Sequence, residues 1–280
     1  MAEHASSEAL VHEHLVHLDP AEYHEITPED FNAPGLRSFE SVGPDREVRA
    51  SGPVLMIHDG RFDAGRGIGH HPHQGMERLF YILDGAVDHD DALNSITGHM
   101  GTGDLGILTE GRRGMIHQEW NPTDGPARAF ILVYPNEPLA PSAAFDAVRD
   151  DDAPRVTEAQ GVITKHVAKR GDGRLHGEVY EFADSILDAG AQLTFPVDAD
   201  EGALLFVVEG QVEVGVGDDS ATGDVDHTFL VPPAAAPREV GVTALTRARV
   251  LRAVHGSGTD CSCDRACRPG CQRGDRPPVR

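Results

Sequence analysis

Lysine is almost missing from this chain: Lys165 and Lys169 are the only two in 280 residues, and arginine supplies the rest of the positive charge. Positive charge is itself scarce, so that the formal net charge is −22. A surface of that sign repels phosphate backbones and anionic membranes, which argues against direct nucleic-acid binding, and no nucleic-acid or membrane partner is expected. A high-salt habitat and a GC-rich genome account for such a composition equally well. Cysteine is missing from the body of the chain, because Cys261, Cys263, Cys267 and Cys271 all lie in the last twenty residues. No disulfide framework is therefore needed there, which fits a reducing compartment and makes the cytoplasm the expected location. Apolar runs long enough to span a bilayer are absent. The N-terminus lacks the basic start and apolar stretch of a secretory signal.

Aromatic residues are few, at 5%, whereas 31 glycines and 19 prolines mark a turn-rich chain. With 39% hydrophobic residues, a chain of this length can build two cores. The apolar stretches are short and punctuated. Val54 to Ile57, Leu79 to Leu83, Leu105 to Leu108 and Ala129 to Tyr134 are short runs in a chain punctuated by Gly, Asp and Pro, the pattern of strands in a sandwich or barrel. The expected organisation is an arm with first strands over residues 1–50, one β domain over 51–150, a second over 155–255, and a tail over 256–280. Residues 145–154, acidic and proline-containing, read as the linker. The second half repeats the first: Glu77 to Val87 resembles Gly202 to Val212, and Gly85 and Gly210 align at an offset of 125 residues. That similarity points to an internal duplication.

The chemistry concentrates in His71-Pro72-His73-Gln74-Gly75-Met76-Glu77 and His117-Gln118-Glu119. On an extended backbone, residues two apart share a face. His71 and His73 therefore project together, as do His117 and Glu119, while His70 has the opposite parity. Isolated His-x-His pairs are usually solvated, and His4, His12, His14, His17 and His24 are read as surface residues. Two pairs of matching parity beside strands instead point to one metal centre with three imidazoles and a carboxylate. That donor set suits Fe(II), Mn(II), Ni(II), Co(II) or Cu(II), with Zn(II) less favoured. On a six-coordinate ion it leaves two positions for substrate or water. The tail cysteines have no paired Cys-x2-Cys spacing, and the Arg-, Pro- and Gly-rich segment around them reads as disordered.

The two motifs, together with Tyr81-Ile82-Leu83-Asp84-Gly85, His89-Asp90-Asp91 and Gly103-Asp104-Leu105, resemble the pirin family of the cupin superfamily. The resemblance is clear over about residues 53–135 and looser beyond. It implies an all-β fold of two tandem cupin, jelly-roll-like barrels, with metal in the N-terminal barrel only. It further implies His71, His73, His117 and Glu119 as ligands of one divalent ion, Fe(II) foremost. Many other cupins use the glutamate equivalent to Glu77, which makes Glu77 the reserve ligand or a group orienting an imidazole. At the second barrel's corresponding positions stand Pro196, Asp198, Val242 and Ala244, mostly unable to bind metal. One departure stands out. Where pirins usually read T-A-G-x-G, this chain has Thr109-Glu110-Gly111-Arg112-Arg113-Gly114. Arg112 and Arg113 are expected near the barrel mouth, paired with the acidic surface rather than drawing in an anion.

The resemblance implies two alternative activities. One is a quercetin 2,3-dioxygenase-like enzyme acting on a flavonol or other enolisable small molecule with O2, in which Glu119 accepts the hydroxyl proton. The other is a non-enzymatic, metal-dependent regulator that binds a protein partner.

Overall fold

In the computed structural model, which describes residues 10, 11 and 13–258, the apolar runs form antiparallel strands and only two single turns of 3-10 helix interrupt them. The cysteine tail lies outside the described residues. Strands that bury both faces read as continuous apolar runs, and those that bury one face alternate. Leu79 to Leu83 is buried throughout, whereas Gln192 to Val197 alternates exposed and buried.

The first half makes a seven-stranded sheet ordered β13 (Ala144–Val148), β10 (Leu105–Thr109), β7 (Met76–Asp84), β12 (Ala127–Pro135), β5 (Met56–Phe62), β4 (Leu36–Val42) and β3 (His24–Ile26). Against it packs a four-stranded sheet of β6 (Gly67–His73), β11 (Met115–Trp120), β8 (Ala86–Asp91) and β9 (Ile96–Gly101). The second half repeats the order. Its larger sheet runs β1 (Leu10–Val11), β2 (Val16–Leu18), β21 (Thr228–Val231), β18 (Gly202–Glu209), β23 (Ala248–His255), β16 (Val179–Leu187), β15 (Val162–Ala168) and β14 (Arg155–Ala159). Its smaller sheet is β17 (Gln192–Val197), β22 (Arg238–Ala244), β19 (Val212–Val216) and β20 (Asp219–Gly223). From β21 to β14 each strand occupies the place of its counterpart from β10 to β3. The duplication read from the sequence is thus a duplication of topology, and the whole is a bicupin.

Three cores separate four layers. Phe80, Ile82, Met100 and Ala129 fill the space inside the first barrel. Leu193, Phe195, Val214 and Val242 fill the second. Between the two large sheets lie Leu79, Tyr81 and Phe130 from one side and Phe182, Phe206 and Leu251 from the other. The described part of the N-terminal arm is tied to the second half. β2 pairs with β21 of the second half (Val16↔Leu230, His17↔Phe229), and Leu15 is fully buried in the second core. His17, read as a surface residue, instead stacks on Phe229 with ring centroids 4.7 Å apart. Its parity on β2 turns it toward that neighbouring strand.

Candidate metal centre

β6 and β11 are adjacent antiparallel strands, with His71 opposite His117 and His73 opposite Met115. On β11 the inward positions are Met115, His117 and Glu119, all buried. β6 is less regular. The ladder passes from His117↔His71 to Glu119↔Ile68, so β6 carries one extra residue at Gly69–His70. This β-bulge reverses the parity of the residues beyond it. Ile68 lies inward, Gly69 and His70 are exposed, and His71 and His73 turn back toward the barrel. His70 points outward to Asp90, 3.1 Å away.

His71, His73 and His117 have ring centroids 4.6 to 4.9 Å apart. Their nitrogens form one group able to hold a metal ion, with ligand atoms within 4.8 Å of one another. Glu119 belongs to a second, overlapping group with His117 and His89. His117 is common to both: its Nδ1 lies 3.0 Å from Glu119 Oε1 and 3.4 Å from His89 Nδ1, while its Nε2 is buried with no partner. A buried imidazole nitrogen without a partner is costly, and a cation would satisfy it. His71 Nδ1 donates to Gly69 O at 2.8 Å, which leaves the Nε2 lone pair free. Arg78 Nη2 donates to His73 Nδ1 at 2.9 Å and so holds that ring in place. In neutral His73 the proton then sits on Nε2, so this ring must change tautomer or turn before it ligates through Nε2.

The electrostatics favour neutral rings around an ionised carboxylate. Burial, with Arg78 nearby, pushes His73 down to about 3. Burial likewise lowers His89 to about 4 and lowers His71. Burial acts to raise Glu119, but the His117 hydrogen bond and the surrounding imidazoles outweigh it and hold the group at about 2. Those are the protonation states in which these groups bind metal.

His89 was not among the expected ligands. It is buried opposite Glu119 on β8 and stacks on Phe145, and its even spacing with Val87 and Asp91 carried the signal. Glu77 proves not to be a ligand reserve, because the pleat of β7 turns it away from the centre. It accepts from Tyr134 Oη (2.5 Å), Thr109 Oγ1 (3.1 Å), and the backbone N–H and Nδ1 of His176 (2.9 and 2.8 Å). It does orient an imidazole, but that of His176 in the second half. Arg112 and Arg113 are exposed and form no ion pair among the described residues. The charge that matters in this departure from the T-A-G-x-G pattern is Glu110, fully buried and 2.7 Å from Arg78 Nε. In the second half, the inward positions across from β22 are Phe195 and Val197, since β17 has no bulge; Pro196 and Asp198 are exposed. Val242 and Ala244 are buried there.

Between the two sheets of the first half, a cavity of about 300 Å³ opens beside the centre. Its roof includes His71, His73 and Glu119, and its apolar walls include Phe31, Leu36, Met56, Phe62, Phe80 and Ile131. Ser38, His58 and Arg78 are its other polar lining.

The Pirin family's sequence model matches residues 39–132. Mouse pirin is 25% identical over 216 residues, covering 74% of this chain and 72% of that protein. The quercetin 2,3-dioxygenase of Escherichia coli K12 is 27% identical over 177 residues, covering 61% and 71%. In three dimensions the chain resembles a bacterial pirin of Escherichia coli crystallised with nickel(II), with a TM-score of 0.71 and 18% identity over 86% of this chain and 99% of that one. Motifs, duplicated cupin topology and relatives agree in their likeness to the pirin family, whose own model covers residues 39–132.

Proposed function

We propose that this protein is a metal-dependent dioxygenase of the quercetin 2,3-dioxygenase type, acting with O2 on a flavonol or another enolisable small molecule. The observation that supports the reading is a pair of overlapping groups of metal-binding side chains, His71–His73–His117 and His89–His117–Glu119, beside an apolar cavity that His71, His73 and Glu119 line. His71, His73, His117 and Glu119 would hold one divalent transition-metal ion, Fe(II) foremost, with His89 beside them. When bound, the ion lowers the pKa of a substrate hydroxyl and provides redox chemistry with O2. Glu119, ionised and buried, accepts the proton of that hydroxyl. The apolar walls exclude water from the reacting groups. Arg78, braced by Glu110, keeps His73 facing the cavity. The named activity of the Escherichia coli relative and the nickel of the structural neighbour support the reading. A cavity of small-molecule size favours an enzyme over a regulator that works only through a protein partner.

The test is metal analysis by mass spectrometry on protein purified anaerobically without a histidine tag. Wild type is expected to carry one redox-active metal per chain and to consume O2 with a flavonol. His73→Ala is expected to lose both. Metal content unchanged in that variant would sink the assignment.

A further inference from the structure

Across the cavity from the imidazoles, its floor carries polar groups that the proposed metal chemistry does not use. Ser38 is 2% exposed, and its Oγ is buried with no hydrogen-bond partner among the described residues. Native proteins rarely leave such a hydroxyl unpartnered unless something else satisfies it. Beside it, His58 Nε2 lies 2.9 Å from the buried Glu40 Oε2. An ionised carboxylate only accepts, so the His58 proton sits on Nε2 and the lone pair on Nδ1 is left for a ligand.

The register of β4 and β5 places these groups together. Ser38 pairs with Gly60 and Glu40 with His58, so Ser38 and His58 are diagonal neighbours on the cavity face. Diagonal positions lie roughly 7–8 Å apart along the backbone, within reach of one ligand atom through their side chains. Gly60 keeps the space open, since a Cβ there would meet Ile131 Cδ1 at 3.3 Å.

We infer that Ser38 and the His58–Glu40 pair form a hydroxyl-recognition subsite, selecting a compact aromatic molecule with a hydroxyl remote from the imidazole–Glu119 centre. This rests on the dioxygenase reading for the role of the other end of the ligand. A hydroxyl accepts from Ser38 Oγ and donates to His58 Nδ1, satisfying both. A carbonyl satisfies only Ser38, and a carboxylate meets a lone pair backed by Glu40. The walls argue for an aromatic body, with Phe31, Phe62 and Phe80 among them. A volume of about 300 Å³ suits one or two rings, at the small end of ligand cavities.

The experiment uses the full-length, metal-loaded protein and two probes under anaerobic conditions. 3-Hydroxychromone carries the enol alone, and 3,7-dihydroxychromone adds a distal hydroxyl. Dissociation constants are measured by isothermal titration calorimetry, with fluorescence of the single tryptophan, Trp120, as a second readout. Wild type is expected to prefer the dihydroxy compound about tenfold, equivalent to about 1.4 kcal/mol. The preference should fall below about twofold in Ser38→Ala and in the double variant Glu40→Leu/His58→Phe, which leaves no unpaired buried carboxylate. Affinity for 3-hydroxychromone should hold in Ser38→Ala, whose circular dichroism should match wild type. No preference in wild type, no binding of either probe, or a preference retained in either variant overturns the subsite. His73→Ala separates the two readings. Loss of both probes in that variant supports the metal reading, while the preference in wild type and its fall in Ser38→Ala decide the subsite. Unchanged binding with the distal preference intact overturns the metal reading and leaves the subsite standing.

Discussion

Among single residues, Glu77 is a buried carboxylate that gathers donors from Thr109, Tyr134 and His176. Glu77→Gln is expected to cost about 1–3 kcal/mol, because a buried acceptor of several bonds becomes partly a donor. Metal content should stay at the wild-type level; urea denaturation and metal analysis together check this. His255 offers a pH prediction. Burial holds it at about 4, against an ordinary 6.5, while Nδ1–H donates to Gly256 O and Nε2 meets Ser51 Oγ. The unfolded chain takes up this proton below pH 6.5 and the folded one only near 4. Stability from this group is therefore full above 6.5 and is lost as pH falls toward 4. His255→Asn, which keeps a donor toward Gly256, should flatten that part of the acid dependence. Urea midpoints at neutral and acid pH, compared between the two proteins, read the difference directly. At this scale the legible features were chemical type and parity. His71, His73, His117 and Glu119 were picked out because they recur two apart beside strands, and the structure places them in two overlapping groups that share His117, with His71, His73 and Glu119 on the cavity wall. Arg78, Glu110, Ser38 and His58 were missed, because each is meaningful only through its neighbours in the fold. Glu77 was misjudged for the same reason, since its partner His176 lies in the other half.

At the scale of elements, strand positions were legible because apolar runs and Gly-containing turns marked them. The bulge in β6 was not, since an extra residue leaves no mark in a hydrophobicity pattern. Yet it distinguishes the two halves. Without a bulge, β17 turns Phe195 and Val197 inward; with one, β6 turns His71 and His73 inward. Deleting His70 should restore regular pairing with Ile68, His71 and His73 all on the inward face. The expected outcome is bound metal and strand content both retained, as in His70→Ala. Metal analysis beside far-UV circular dichroism decides it, and a deletion variant that loses its metal with its strands intact refutes the account. Close approach matters here as well: a Cβ on Gly67 would lie 2.1 Å from Glu119 O, so β6 and β11 fit together only with glycine at that position.

At the scale of the molecule, the tandem architecture was legible from the repeat, but the central core was not. Nothing in the spacing of Phe130 or Phe206 tells that their rings meet, with centroids 4.7 Å apart, across two separate sheets. Because both large sheets share this core, the halves should unfold together. Phe206→Ala is expected to lower stability by about 3–5 kcal/mol while leaving a single calorimetric transition. Two resolved transitions would refute the coupling. The strand formed by Val16 to Leu18 extends the logic into time. Its partner β21 is made about 210 residues later, a wait of roughly 10–40 s at ordinary translation speeds. Throughout that interval the nascent chain holds an apolar segment with nowhere to dock, and the second barrel closes only when this strand meets one synthesised long after it.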